Sequence, residues 1–234
     1  MEKKHDCMFI LGNGSLNGKN EEMKVAVASL RKFCSSWVRN IYVVGENPNI
    51  DGVIHVPAKD EFVHDKDANI IHKVRIGCYI KGLTDDFLMC SDDQLVTMES
   101  SWSDFRPRYL DILGDMKDWK WKKTIWQQRM TKCLMRFGRG AKYFQPHIFS
   151  PINKIKFADM CNKVAYEVED GVTIFSLYYN WIKEKGVENF DHKMISGGGH
   201  LPSGVRHIGY VDNSFKDNVF REDLENLLDI KLSR

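Results

Sequence analysis

Two adjacent carboxylates at the end of an apolar run are the feature of this sequence best suited to chemistry. Phe87–Cys90 is wholly apolar and continues directly into Ser91-Asp92-Asp93. In an open α/β sheet, ligands bind beyond the carboxyl ends of the strands. Neighbouring aspartates there repel each other unless a cation is bound, and Mg²⁺ and Mn²⁺ favour one or two carboxylates plus phosphate oxygens. The pair therefore predicts a metal-held phosphate; the alternative is a solvated turn after a buried strand.

Alternating β-rich runs and amphipathic helical segments would position this pair. In the first half, the sequence predicts helices at 23–35 and 67–80 and strands at Cys7–Leu11, Ile41–Val44, Val53–Val56 and Phe87–Cys90. In the second half, it predicts helices at 126–138, 150–162 and 220–228, the middle one opened by Ser150 and Pro151, while 174–181 fits a strand or a helix. The alternation indicates an α/β fold with a mostly parallel, Rossmann-like sheet flanked by helices, in a single domain over 1–234.

The order of these segments resembles the nucleotide-sugar domain of GT-A glycosyltransferases of phage or bacterial type. The segment LGNGSLNGKNEEMKVAVASLRKF resembles the family's first strand, nucleotide loop and following helix. IYVVGE resembles its second strand, and KDANIIHKVRIGC resembles the helix before its metal-binding strand. Ser91-Asp92-Asp93 is similar to the family's DxD motif. The resemblance covers residues 7–96 well and 126–180 weakly. It implies a GT-A-like fold in which 1–96 binds the nucleotide sugar and 97–234 binds the acceptor.

A weaker similarity connects the chain to the Stealth sugar-phosphate transferases. In that family, two aspartates also end a strand, and a later His-x-Pro segment completes the site. Here the later segment is His147-Ile148-Phe149-Ser150-Pro151, with the proline displaced, and the Stealth opening motif is absent. This similarity implies a second enzymatic possibility, the transfer of a whole sugar phosphate.

These resemblances imply roles for individual side chains. Nucleotide or sugar contacts are expected from Asn13, Asn69, Lys73 and Asp92. Asp93 is the expected ligand of Mn²⁺ or Mg²⁺, and His147 is expected to bind the metal or to offset the charge of the leaving diphosphate. Each assignment has a structural alternative: an Asn-Gly turn at Asn13, a solvated helix face at Asn69 and Lys73, and an ordinary loop histidine at 147.

An inverting transfer also needs a carboxylate base beside the acceptor hydroxyl. Glu167, Glu169 and Asp170 form an acidic cluster, and one of them is the candidate catalytic base; an acidic turn is the alternative. A glycine-rich loop follows at 196–200. It could wrap a diphosphate with backbone N–H groups or act as a lid, although it lacks the ending of a P-loop.

Residues 117–142 contain nine Lys/Arg and one Asp, a local charge of +8. Because the whole chain carries only +2, the remainder carries −6. Three tryptophans, Trp119, Trp121 and Trp126, are interleaved with the cations, which suits phosphates together with stacked bases or sugars. We expect a polyanionic acceptor, such as hydroxymethylated phage DNA or a phosphorylated glycan; a solvated helix with core tryptophans is the alternative.

Composition limits the remaining possibilities. With 43% hydrophobic and 28% charged residues, the chain is globular rather than disordered, and its near-balanced charge excludes a uniformly cationic protein. The six cysteines are scattered without metal-site spacing, which predicts reduced core cysteines. No apolar run is long enough for a signal-peptide core or a membrane span. We therefore expect a cytoplasmic protein, in a bacterium or a phage-infected host.

The sequence thus predicts a metal-dependent hexosyl- or pentosyltransferase that uses a nucleotide-diphosphate-sugar donor. Two alternatives stay open. One is a Stealth-like sugar-phosphate transferase. The other is a nucleic-acid-binding module that has a transferase fold and no activity.

Overall fold

The computed structural model describes residues 3–12, 20–62, 65–113, 131–133, 135–144, 147–167, 172–188 and 192–233. Its strands are β1 (His5–Leu11), β2 (Val38–Gly45), β3 (Ile54–Pro57), β4 (Asp86–Cys90), β5 (Gln94–Val96), β6 (Arg108–Tyr109), β7 (Asp111–Ile112), β8 (Lys142–Tyr143), β9 (Ser150–Asn153), β10 (Val187–Glu188), β11 (His192–Ile195) and β12 (His207–Tyr210). Its labelled helices are α1 (Glu21–Phe33), α2 (Lys66–Cys78), α3 (Lys154–Lys163), α4 (Ile174–Trp181), α5 (Asp212–Phe215) and α6 (Asn218–Leu228).

A five-stranded sheet in the order β3-β2-β1-β4-β9 forms the centre of the fold. The first four strands are parallel, and β9 is antiparallel to β4. Strands β1 and β4 are almost continuously apolar because both faces of the sheet are covered. The expected α/β fold with a mostly parallel sheet is confirmed.

Alternate residues of β1 face two hydrophobic layers. Cys7, Phe9 and Leu11 pack in one layer with α1 and α6, whereas Met8 packs in the other with α2, α3 and α4. This alternation follows from the two-residue period of a strand. All six cysteines are free and buried, as predicted.

The segment opened by Ser150 and Pro151 is a strand, so the predicted helix start at this position is wrong. It forms β9 at the edge of the central sheet, with Pro151 opposite Leu88. Proline is tolerated on an edge strand because no outer neighbour needs its missing N–H. Helix α3 begins only after Asn153, whose side chain accepts a hydrogen bond from Lys156 N and caps the helix.

A three-stranded sheet, β11-β12-β5, continues from the end of β4. Strand β5 follows β4 after a short turn and pairs antiparallel with β12, which pairs parallel with β11. Strand β5 also contacts α1, where Val96 N donates a hydrogen bond to Ser29 Oγ at 3.3 Å. The two sheets therefore meet at residues 91–93. No helix within the described ranges is long and apolar enough to cross a membrane.

Candidate active site

Tyr210 fixes the turn at Asp92 and Asp93 beyond the carboxyl end of β4. Its backbone N–H donates to Asp93 O at 3.0 Å, and its hydroxyl donates to Asp92 O at 3.0 Å. Tyr210 is fully buried and its ring stacks on Phe215. Because both hydrogen bonds go to backbone carbonyls, β12 holds the turn without using either carboxylate.

The structure brings His147 next to Asp93, and their binding of one ion stays a prediction. His147 Nδ1 lies 3.7 Å from Asp93 Oδ2. His147 has a φ of 50° and lies just before β9. A Cβ at Gly209 would be 2.7 Å from His147 O. Only glycine at this position of β12 lets the His147 segment approach so closely.

The carboxylate of Asp93 fits a divalent cation. Its Oδ1 is buried and has no hydrogen-bond partner in the described part of the chain. Such an orphaned oxygen costs free energy unless a cation or a donor satisfies it. Among the described residues, no three His, Cys, Asp or Glu side chains are grouped to hold an ion. The single carboxylate of Asp93 fits Mg²⁺ or Mn²⁺, which take few protein ligands and complete their shell with phosphate and water, and a contribution from His147 stays a prediction.

The turn belongs to an acidic cluster. Burial and the neighbouring charge of Asp93 raise the pKa of Asp92 to about 6, which Lys66 opposes only in part. Burial and the charges of Asp92, Asp212 and Asp93 raise the pKa of Glu22 to about 7. Carboxyl groups that hold protons this close to neutral pH would gain from a bound cation.

Sequence reasoning missed Glu22, Asp212 and Gln94. Glu22 lies in the first turn of α1 and Asp212 at the start of α5, so tertiary packing rather than sequence spacing brings them to the turn. Gln94 is buried and its Oε1 has no partner among the described residues, which is also true of Asn20 Oδ1 beside α1. The one local signal in the sequence is the polar Gln94, which directly follows Asp93 and precedes two apolar residues. A ligand that donates hydrogen bonds or carries positive charge would satisfy these acceptors.

Asn69 on α2 is buried, so the alternative of a solvated helix face is wrong for it. Its Oδ1 accepts hydrogen bonds from Glu61 N at 2.8 Å and Phe62 N at 3.0 Å. Its Nδ2 donates to Phe62 O at 2.7 Å. The amide thus holds the loop that follows β3, and its contact with a nucleotide or sugar stays a prediction.

Lys73 is also buried rather than solvated, with 1% of its side chain exposed. Its Nζ lies 2.5 Å from Asp60 Oδ1 and donates to Leu11 O at 2.9 Å. This one ammonium group connects α2 to the carboxyl end of β1 and to the loop after β3. Lys73 therefore shapes the edge of the sheet where the site lies, and its direct contact with a donor stays a prediction.

Two of the three candidate bases and one of the predicted nucleotide contacts lie outside the described residues. Asn13, Glu169 and Asp170 are not among them. Glu167 is exposed and follows Tyr166, whose hydroxyl lies 3.0 Å from His72 Nδ1 on α2. The choice among the three carboxylates stays a prediction.

The glycine-rich loop at 196–200 is tied to α6. Asp217 Oδ1 accepts hydrogen bonds from Gly199 N at 3.2 Å and from Phe220 N at 3.0 Å, and the second of these caps the helix. A Cβ at Gly198 would lie 2.2 Å from Asp217 Oδ2. The N–H of Gly199 and the space beside Gly198 therefore serve the attachment of the loop to α6.

More than half of the basic segment, residues 117–130 and 134, lies outside the described residues. Residues 131–133 and 135–137 are helical and are followed by Gly138 with a φ of 79°, where the sequence predicts the helix to end. Lys142 Nζ lies 4.2 Å from the centroid of the Tyr109 ring. A polyanion interface on this segment stays a prediction.

Comparison with known proteins identifies the fold. An active-site mutant of LgtC is similar with a TM-score of 0.56 and 12% identity, over 96% of this chain and 94% of that one. The galactosyltransferase LgtC in complex with donor and acceptor sugar analogs is similar with a TM-score of 0.57 and 12% identity, over 98% and 97% of the two chains. No protein-family model and no curated protein matches. The chain has a GT-A-like glycosyltransferase fold.

Proposed function

We propose that this protein is a metal-dependent glycosyltransferase that moves a hexosyl or pentosyl group from a nucleotide-diphosphate-sugar to a hydroxyl acceptor. The observation that carries the proposal is the buried, unpaired Oδ1 of Asp93 beside His147, at the carboxyl end of β4 in a GT-A-like fold. In this class of fold, that edge of the sheet is where ligands bind.

The side chains at the turn have separate tasks in this proposal. Asp93 and His147 would hold Mn²⁺ or Mg²⁺, which as a Lewis acid stabilises a leaving diphosphate. Asp92 contacts the ribose or the sugar. The unpaired oxygens of Gln94 and Asn20 accept hydrogen bonds from donor hydroxyl groups, which would remove the cost of leaving them unsatisfied.

The acceptor is bound by the 97–234 half, and its hydroxyl is deprotonated by Glu167, Glu169 or Asp170. We further propose that the acceptor is a polyanion, either hydroxymethylated DNA or a phosphorylated glycan. The support is the charge of +8 on 117–142, which exceeds what one diphosphate requires.

The test is a screen of nucleotide sugars for Mn²⁺-dependent release of nucleotide, with wild type, Asp93→Asn and Asp159→Asn. Asp159 is an exposed carboxylate on α3 paired with Lys163, so it serves as the matched control. We expect release by wild type and by Asp159→Asn, and a loss of at least about 100-fold in Asp93→Asn, the size of effect typical of removing one strong electrostatic contact.

The released product decides between the enzymatic readings. Nucleoside diphosphate supports glycosyl transfer, whereas nucleoside monophosphate would assign the Stealth-like transfer of a sugar phosphate. Full metal-dependent activity in Asp93→Asn would contradict the metal site. No release from any donor would contradict the enzymatic proposal and leave the nucleic-acid-binding module.

A further inference from the structure

A groove of about 640 Å³ runs along α1 and begins one helical turn after Asn20. One wall is α1, and the other is the chain around the end of α6. The lining residues are Lys24, Val27, Ala28, Arg31, Lys32, Ile50, Leu228, Asp229, Ile230 and Lys231. On α1 they recur every three or four residues, so they share one face of the helix. From Lys24 to Arg31 this face is about 10 Å long at the rise of an α-helix.

The floor of the groove is apolar and its rim is cationic. Val27 and Leu228 are buried, and Ala28, Ile50 and Ile230 are partly exposed. Around this floor stand four basic side chains and one carboxylate, Asp229. The imbalance favours an anionic occupant, and the apolar floor favours an occupant that also has hydrocarbon to bury.

Hydrogen bonds to backbone carbonyls orient two of the four cations. Arg31 Nη2 donates to Asp51 O at 2.5 Å, and Lys32 Nζ donates to Leu227 O at 2.7 Å. The side-chain ammonium groups of Lys24 and Lys231 make no hydrogen bond or ion pair with any residue in the described ranges. Two ammonium groups are thus left to bind a ligand, next to two that are already held in place.

We propose that this groove binds a single amphiphilic anion, a phosphate monoester carrying an alkyl chain. The phosphate lies between Lys24 and Lys231, and the chain covers Val27, Ala28 and Ile230. The volume lies in the range of small-molecule sites, which is roughly 300–1,000 Å³. A nucleic acid would use the cations and leave the apolar floor exposed, whereas an alkyl phosphate uses both.

The test is titration of the full chain with decyl phosphate below its micelle concentration, followed by calorimetry and by amide chemical shifts. Inorganic phosphate and decanol provide the charge and the hydrocarbon separately. We expect one decyl phosphate per chain, binding at least about 10-fold more tightly than either separate component, because the phosphate and the alkyl chain are then bound together; a tenfold step corresponds to about 1.4 kcal/mol. Shift changes should centre on α1 and on residues 228–231.

Two variants locate the site. Lys24→Glu combined with Lys231→Glu is expected to weaken decyl phosphate binding at least about 10-fold. Ala28→Phe fills the floor without changing the charge and is expected to do the same. Lys156→Glu, an exposed change on α3, is the control and should bind like wild type.

The proposal would be overturned by equal affinity for decanol and decyl phosphate, by shift changes centred elsewhere, or by unchanged binding in both groove variants. Binding to phosphatidylglycerol vesicles without binding of monomeric decyl phosphate would also overturn it, since that would indicate a membrane surface rather than a single molecule.

Discussion

Glu22 carries a carboxyl group that is expected to make folding pH-dependent. Its pKa rises from 4.5 to about 7, first through burial and then through Asp92, Asp212 and Asp93. A raised carboxyl pKa means that the folded state binds the proton more tightly than the unfolded state does. The stability of wild type should therefore fall as the pH rises between these two values.

Glu22→Gln removes this titration. We expect the variant to melt about 3 °C above wild type at pH 8 and close to wild type near pH 4.5, a modest difference because the group is partly solvated. Melting curves followed by circular dichroism measure it, with the exposed Glu222→Gln on α6 as the control. A variant less stable than wild type at pH 8 would contradict the assigned environment.

Gln94 and Asn69 are both buried amides but differ in their partners. Gln94 Oε1 has none in the described part of the chain, whereas Asn69 makes hydrogen bonds with the backbone at Glu61 and Phe62. Gln94→Met should change the free energy of unfolding by less than about 0.5 kcal/mol, while Asn69→Leu should lower it by about 2 kcal/mol.

Urea denaturation of the two variants measures this contrast. If Gln94→Met keeps its stability and loses donor turnover, the unpaired oxygen serves a ligand. A large loss of stability in Gln94→Met would instead mean that its amide has a structural partner.

At the scale of the element, burial decides what the sequence predicts well. Strand β4 is found within one residue of its predicted bounds, because a strand covered on both faces is a continuous apolar run. The predicted start of α3 is wrong because Ser150-Pro151 is compatible with both a helix start and an edge strand. Two-residue strands such as β6 and β10 are too short to show any period.

The candidate site is predictable where its residues follow an element. Asp92 and Asp93 come directly after an apolar strand, which is a local signal. Glu22 and Asp212 reach the same turn from α1 and α5 only because the chain folds, and no spacing in the sequence relates them. His147 was suggested by a family resemblance alone, and its contact with Asp93 depends on the packing of β9 beside β4.

Lys73 joins three elements, and its loss is expected to weaken all of them. Lys73→Met would leave Leu11 O and the carboxylate of Asp60 without their shared cation. We expect the free energy of unfolding to fall by about 3 kcal/mol, as for other broken buried pairs. Urea denaturation measures this, and the exposed Lys81→Met should cost less than about 0.5 kcal/mol. Equal losses of unfolding free energy in the two variants would show that the contacts of Lys73 do not stabilise the fold.

At the scale of the whole molecule, a net charge of +2 conceals a separation of charge. The excess of basic over acidic residues lies in 117–142, whereas carboxylates from α1, the β4–β5 turn and α5 meet at one edge of the central sheet. The sheet and its two hydrophobic layers hold these carboxylates together against their mutual repulsion. A bound cation should therefore stabilise the entire fold, since the cluster draws on elements distant in sequence.

This coupling gives a prediction about metal, pH and melting temperature together. Mn²⁺ bound at the proposed site would favour the folded chain, so it should raise the melting temperature, by about 5 °C at a concentration near 100 times its dissociation constant. Protons oppose the ion, because protonation of Asp92, with a pKa of about 6, and of Glu22, with a pKa of about 7, removes negative charge beside Asp93. The increase should thus be complete near pH 8 and nearly absent near pH 5.

Differential scanning calorimetry with and without Mn²⁺ at the two pH values measures this effect. Asp93→Asn should lose the increase at pH 8, while Asp159→Asn should keep it, because Asp159 lies on the exposed face of α3. An increase of the same size at both pH values, or one that persists in Asp93→Asn, would place the ion elsewhere. In that case the repulsion at the sheet edge would be relieved by the fold alone, and the acidic cluster would have no part in metal binding.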